Sequence, residues 1–121
     1  MNSQEVFDFV VNHLRLQNAK SVEDVEEGRC LYRGPEGRKC AVGCLIPDKN
    51  YSPYMEGRNI IAIACEGTLS YETQKLFVEH GNLLFGLQQV HDHSPIEEWE
   101  SKFQLIAQKN RLIYTPPETN S

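Results

Sequence analysis

Arg29-Cys-Leu-Tyr-Arg-Gly-Pro-Glu-Gly-Arg-Lys-Cys-Ala-Val-Gly-Cys-Leu-Ile46 is the stretch on which the fold turns. Gly34-Pro35-Glu36-Gly37 carries the residues of a tight turn and separates two runs suited to extended strands. The reading is a β-hairpin. A four-residue loop would set Arg33 opposite Arg38, Tyr32 opposite Lys39 and Leu31 opposite Cys40. The second strand should fail near Gly43, and Pro47-Asp48 closes the unit. A lone hairpin is marginal in water, so it must pack on helices or gain further strands.

Helices are legible on both sides. Toward the N-terminus, Asn2 and Glu5 have the spacing of a capping box, and Val6, Phe7, Val10, Val11 and Leu14 draw one apolar stripe, ending near Gln17 and Asn18. Residues 19–28 read as a polar connector. Beyond the hairpin, 47–58 reads as an irregular loop that Tyr51, Tyr54 and Met55 lay on the core. The run 59–65 suits a buried strand or a short helix. Asn59 as a cap and Gly67 as a stop tilt it toward helix. Ser70 caps a helix over 71–79, and Gly81 suits its left-handed end. Asn82 starts another helix with Leu83, Leu84, Leu87 and Val90 inward. Ser94, Pro95 and Glu97 form a helix start before Ile96, Trp99, Phe103 and Ile106. Leu112, Ile113 and Tyr114 can dock as an extended segment.

The fold class expected is α+β: one domain over 1–115, four to five short helices packed with a small antiparallel hairpin, and a frayed tail over 116–121. With 121 residues and 40% of them apolar, the chain can bury one core without disulfides or metal. No segment approaches the roughly 20 apolar residues that span a bilayer. Asp8 and Asn12 interrupt the start, so it does not read as a secretory signal. The compartment expected is the cytoplasm, where four cysteines stay reduced.

The net charge of −5 argues against broad nucleic-acid binding. The charge is uneven. Residues 28–49 hold five bases and two acids, between two acidic flanks. This island pairs either with the run Glu23, Asp24, Glu26 and Glu27 or with something outside the chain.

Cys40-Ala-Val-Gly43, Leu45-Ile-Pro-Asp48 followed by Tyr51 and Met55-Glu-Gly57, and later Leu87-Gln-Gln-Val-His-Asp92, form a pattern. It resembles a family of short, uncharacterised proteins of bacteriophages and bacterial genomes, from about residue 5 to 110. The resemblance transfers no activity, cofactor or catalytic residue. It implies a phage or prophage accessory setting, in which such products often bind a host protein or a small molecule.

Four constellations could carry chemistry. Arg33 beside Arg38, with Arg29, Lys39 and Arg58 near, invites a negative partner, because like charges opposite on a hairpin repel. That partner could be a neighbouring acid, a small anionic ligand or an acidic protein surface. Cys40 and Cys44 with His91 and His93 supply ligand types for zinc, but the cysteine spacings, counting Cys30 and Cys65, are poor, and buried packing is the ordinary fate of free cysteine. A cysteine nucleophile with His91 and Asp92 lacks any characteristic local sequence. His91-Asp92-His93 itself could hold a metal, or its histidines could complement the negative end of a helix. A Trp99 stripe, if exposed, would suggest self-association. A recognition module that uses the basic hairpin is the function expected, ahead of a zinc-binding or cysteine-dependent enzyme.

Overall fold

The helix-forming stripes hold up in the computed structural model, which describes residues 1–23, 28–65 and 69–117. α1 spans Ser3–Gln17, and its capping box is present: the Asn2 side chain accepts from the Glu5 N–H, and Glu5 accepts from the Asn2 N–H. All five stripe residues are buried. Each such side chain contributes roughly 1.5–3 kcal/mol through removal from water. Asn18, with φ 47°, ends the helix in the left-handed conformation that Asn tolerates.

α2 spans Ile60–Cys65, which resolves the ambiguous run as a helix. Asn59 caps it by accepting from the Ala62 N–H at 2.8 Å; the expected stop, Gly67, lies outside the described residues. α3 spans Tyr71–Glu79, capped by Ser70, and α4 spans Gly81–His93. Gly81 was expected in a left-handed cap, but it opens α4 instead, and among the described residues the positive-φ glycines are Gly37 and Gly57. His80, with φ −115°, makes the joint between the two helices. α4 buries Leu83, Leu84, Leu87 and Val90 as expected, and His91 with them. α5 spans Trp99–Lys109 behind a 3-10 turn over Ile96–Glu98. The Ser94 box does not form there; Pro95 takes the cap position with no side-chain bond, and the Ser94 carbonyl instead accepts from the Trp99 indole. Trp99 is buried, so its stripe is core and not a surface for self-association. α4 packs between α1 and α5, and α2 lies over α3 and α4.

The hairpin is overturned. Among the described residues there are five α-helices and no β-strand, only two isolated bridges, Val22 with Cys30 and Arg33 with Lys39. The fold is all-α. Three contacts explain why the two runs do not pair. First, the 29–33 run lies against 21–23, with the Leu31 N–H on the Ser21 carbonyl and the Glu23 N–H on the Arg29 carbonyl. Second, the Tyr32 and Arg33 N–H groups donate to the Glu56 carboxylate at 2.8 and 3.1 Å. Third, the chain coils after Cys40, where the Cys44 N–H reaches the Cys40 carbonyl and a 3-10 turn covers Gly43–Leu45. Gly43 is pressed onto the Tyr32 backbone so closely that a Cβ there would lie 2.0 Å from the Tyr32 carbonyl oxygen. The loop also differs from the expected register: Arg33 bridges Lys39 rather than Arg38, with Glu36 and Gly37 both at positive φ.

The 47–58 loop consists of 3-10 turns over Asp48–Asn50 and Pro53–Met55. Met55 is buried and Tyr51 packs on the core as expected, but Tyr54 is exposed. The C-terminal segment runs extended beside α1, with the Ile113 N–H and carbonyl both bonded to the Gln4 amide. Pro116 and Pro117 are exposed; the rest of the expected frayed tail, 118–121, lies outside the described residues.

Glu56→Ala leaves two inward backbone donors and the Tyr51 hydroxyl without their acceptor. The expected loss is about 1–3 kcal/mol per stranded donor, before relaxation. Urea unfolding followed by tryptophan fluorescence measures it; a midpoint equal to wild type would remove Glu56 from this role.

Candidate binding cavity

Gln88, His91 and Asp92 sit at i, i+3 and i+4 and so share one face of α4, turned toward the 30–42 segment. The Ser21 N–H donates to His91 Nε2 at 2.9 Å. A nitrogen that accepts an N–H carries no proton, so the ring proton sits on Nδ1, which faces Asp92 Oδ1 at 2.7 Å. Gln88 reaches both ways: its amide N–H donates to Asp92 at 2.8 Å, and its carbonyl accepts from the Val42 N–H at 3.0 Å. The Cys30 thiol lies within 4.8 Å of this pair. Burial alone would push the Asp92 carboxyl up. The bonds from His91 and Gln88, with the neighbouring Cys30 thiol, outweigh it and hold the group below its ordinary value of 3.8.

Asp92 forms part of the wall of a cavity of about 290 Å³ between this face of α4, the 30–42 segment and residues 57–60. Phe85, Ile60 and Tyr32 supply its apolar walls, and Cys30, Cys40 and Gln88 lie close to the carboxylate. The Tyr32 hydroxyl donates to the Arg58 carbonyl and fixes the 57–60 wall against the 30–42 segment. Arg58 also lines the cavity and is engaged within the chain.

Arg29, Arg33, Arg38 and Lys39, which the sequence singled out, each meet a carboxylate of the chain. Arg33 is half enclosed: it pairs with Asp48 at 2.7 Å, donates to the Ile46 carbonyl at 2.6 Å and lies over the Tyr51 ring. Arg29 pairs with Glu23, Arg38 with Glu36, and Lys39 with Asp48 at 3.8 Å. Of the acidic run proposed as their internal partner, Glu23 alone is described; 24–27 lie outside the described residues.

The expected zinc ligands are not brought together either. Among the described residues, the donor atoms that fall within 4.8 Å of one another belong to Cys30, His91 and Asp92, and Cys40, Cys44 and His93 are not among them. This trio fits a metal poorly. Ligation through Nδ1 would move the ring proton to Nε2, which would then oppose the Ser21 N–H. Cys44 donates its thiol to the Ala41 carbonyl, and Cys40 accepts from the Gly43 N–H. Burial pushes the thiols of Cys30, Cys40 and Cys44 up to about 12 each, so none is a thiolate at neutral pH.

Sequence reasoning passed over Gln88, Phe85 and Glu56. The available signal was polar Gln88, His91 and Asp92 at helical spacing on a face flanked by Leu84, Leu87 and Val90. Compared with known proteins, the chain matches no family model, and neither a curated protein nor a solved structure is similar to it.

Two measurements check the site. The folded Asp92 value lies below the unfolded one, so its contribution is complete above the unfolded value and is lost as pH falls through the folded value. The stability advantage of wild type over Asp92→Asn, read by urea unfolding at several pH values, should therefore shrink on acidification below about pH 4. An advantage that grows on acidification would contradict the bonding described. Separately, iodoacetamide at neutral pH should label exposed Cys65 quickly and the other three cysteines only after unfolding. Rapid labelling of Cys30 in the folded protein would return a cysteine nucleophile to consideration.

Proposed function

We propose that the chain is a recognition module, not a catalyst, and that its binding site is the cavity beside Asp92. The observation that carries this reading is an ionised carboxylate, fixed by donors from Gln88 and His91, in the wall of an otherwise largely apolar cavity. Such a group is set to receive a positively charged, donor-rich head such as an ammonium or guanidinium. Catalysis has less support. The thiols of Cys30, Cys40 and Cys44 are held protonated, and His91 has both ring nitrogens engaged, one by a backbone N–H and one by Asp92.

A small anionic ligand on the basic residues is the weaker alternative, because Arg29, Arg33, Arg38 and Lys39 each face a carboxylate of the chain itself. No helix among the described residues is long and apolar enough to cross a membrane. A cytoplasmic setting, with a phage or prophage origin as the sequence pattern implies, is part of the proposal.

The test is an NMR titration of the labelled protein with butylammonium, butylguanidinium and butyrate. The two cations should shift the amides of Phe85, Gln88 and Asp92, butyrate should not, and Asp92→Asn should abolish the shifts. Binding of butyrate alone, or equal binding by the Asn variant, would sink the reading.

A further inference from the structure

A second depression adjoins the cavity at Phe85. This groove of about 470 Å³ lies across α2, α3 and the start of α4, and Ile60 and Phe85 line both spaces. Ile61, Val78 and Phe85 stand in this groove from three different helices. They are 55%, 68% and 59% exposed, large values for apolar side chains that converge on one depression.

Building on the cavity reading, we propose that the occupant is a segment of another protein, with a lysine or arginine seated in the cavity and apolar side chains laid along the groove. Charge supports this choice. Among the described residues that line the groove, Glu79 carries a carboxylate, which Lys75 approaches at 3.8 Å from outside the lining, and no lysine or arginine takes part in the lining itself. Asp92 stands in the cavity at the other end, and Arg58 there is already engaged. A long basic side chain matches the cavity in order, with its methylene stem against Phe85 and Ile60 and its charged head at Asp92. A second copy of this chain fits less well, because each copy carries −5 and would present the same acids to its twin.

The test uses the full chain, labelled for NMR, and three probes. These are butylguanidinium, a capped peptide of leucine and arginine about three helical turns long with one apolar face, and the same peptide with glutamate for arginine. Val78→Ser, which changes the groove and not the cavity, and Asp92→Asn accompany wild type, with amide dispersion confirming that each is folded. The leucine–arginine peptide should bind at least about tenfold tighter than butylguanidinium, the gain expected from seating one further apolar side chain. Val78→Ser should lose that gain and keep butylguanidinium, Asp92→Asn should lose both, and the glutamate peptide should not bind. Butylguanidinium binding with no gain for the peptide, or a gain indifferent to Val78→Ser, overturns the groove and leaves the cavity standing. No binding by either cation-bearing probe removes both. Shifts at Ile61, Val78 and Phe85 when the protein is concentrated alone assign the groove to a second copy, which also overturns the proposal.

Discussion

The Glu56 carboxylate accepts from the backbone N–H groups of Tyr32 and Arg33 and from the Tyr51 hydroxyl, and the central part of the molecule is arranged around that acceptor. An N–H bonded to an ionised carboxylate contributes about 1.5–3 kcal/mol, against about 1 kcal/mol for a neutral ladder bond. Two donors that a strand partner would have satisfied are thus better served by a side chain 23 or 24 residues away. With those donors occupied, the 39–46 run has no ladder to join and coils into a helical turn, with Gly43 against the Tyr32 carbonyl. Arg33, turned the other way, ties the same segment to Asp48, the Ile46 carbonyl and Tyr51.

On the opposite side of the 30–42 segment, α4 supplies a second set of polar anchors. Gln88 takes the Val42 N–H, His91 takes the Ser21 N–H, and Asp92 accepts from the remaining N–H groups of these two side chains. The irregular segment is held between Glu56 and α4, and the cavity is the space left where the two sets of anchors do not meet. A buried polar network of this kind is stable because its bonds converge, and removing one member strands the others. The same bonds that fix the loop keep Asp92 ionised at the cavity wall, so folding and the proposed recognition would depend on the same residues.

Local signals were reliable where they were satisfied locally. The Asn2 and Glu5 box, the Ser70 cap and the Asn59 cap all bond within three residues, and each appears in the structure. Signals failed where a distant group competed. The turn at Gly34-Pro35-Glu36-Gly37 is real, but turn chemistry cannot say whether the flanking runs will find each other. The Ser94 box gave way to a 3-10 turn in which Trp99, buried in the core, claims the Ser94 carbonyl. Gly81 had the composition of a left-handed cap and instead begins α4.

From the sequence alone follow the apolar stripes of α1 and α4 and the charge balance, because periods and composition are properties of a single segment. Only the tertiary structure decided that the fold is all-α, that Arg29, Arg33, Arg38 and Lys39 each face a carboxylate, and that Gln88 and Asp92 together border a cavity. Each of those outcomes depends on which donor reaches which acceptor across many residues of chain. That competition is settled by packing in three dimensions and leaves no local mark in the sequence.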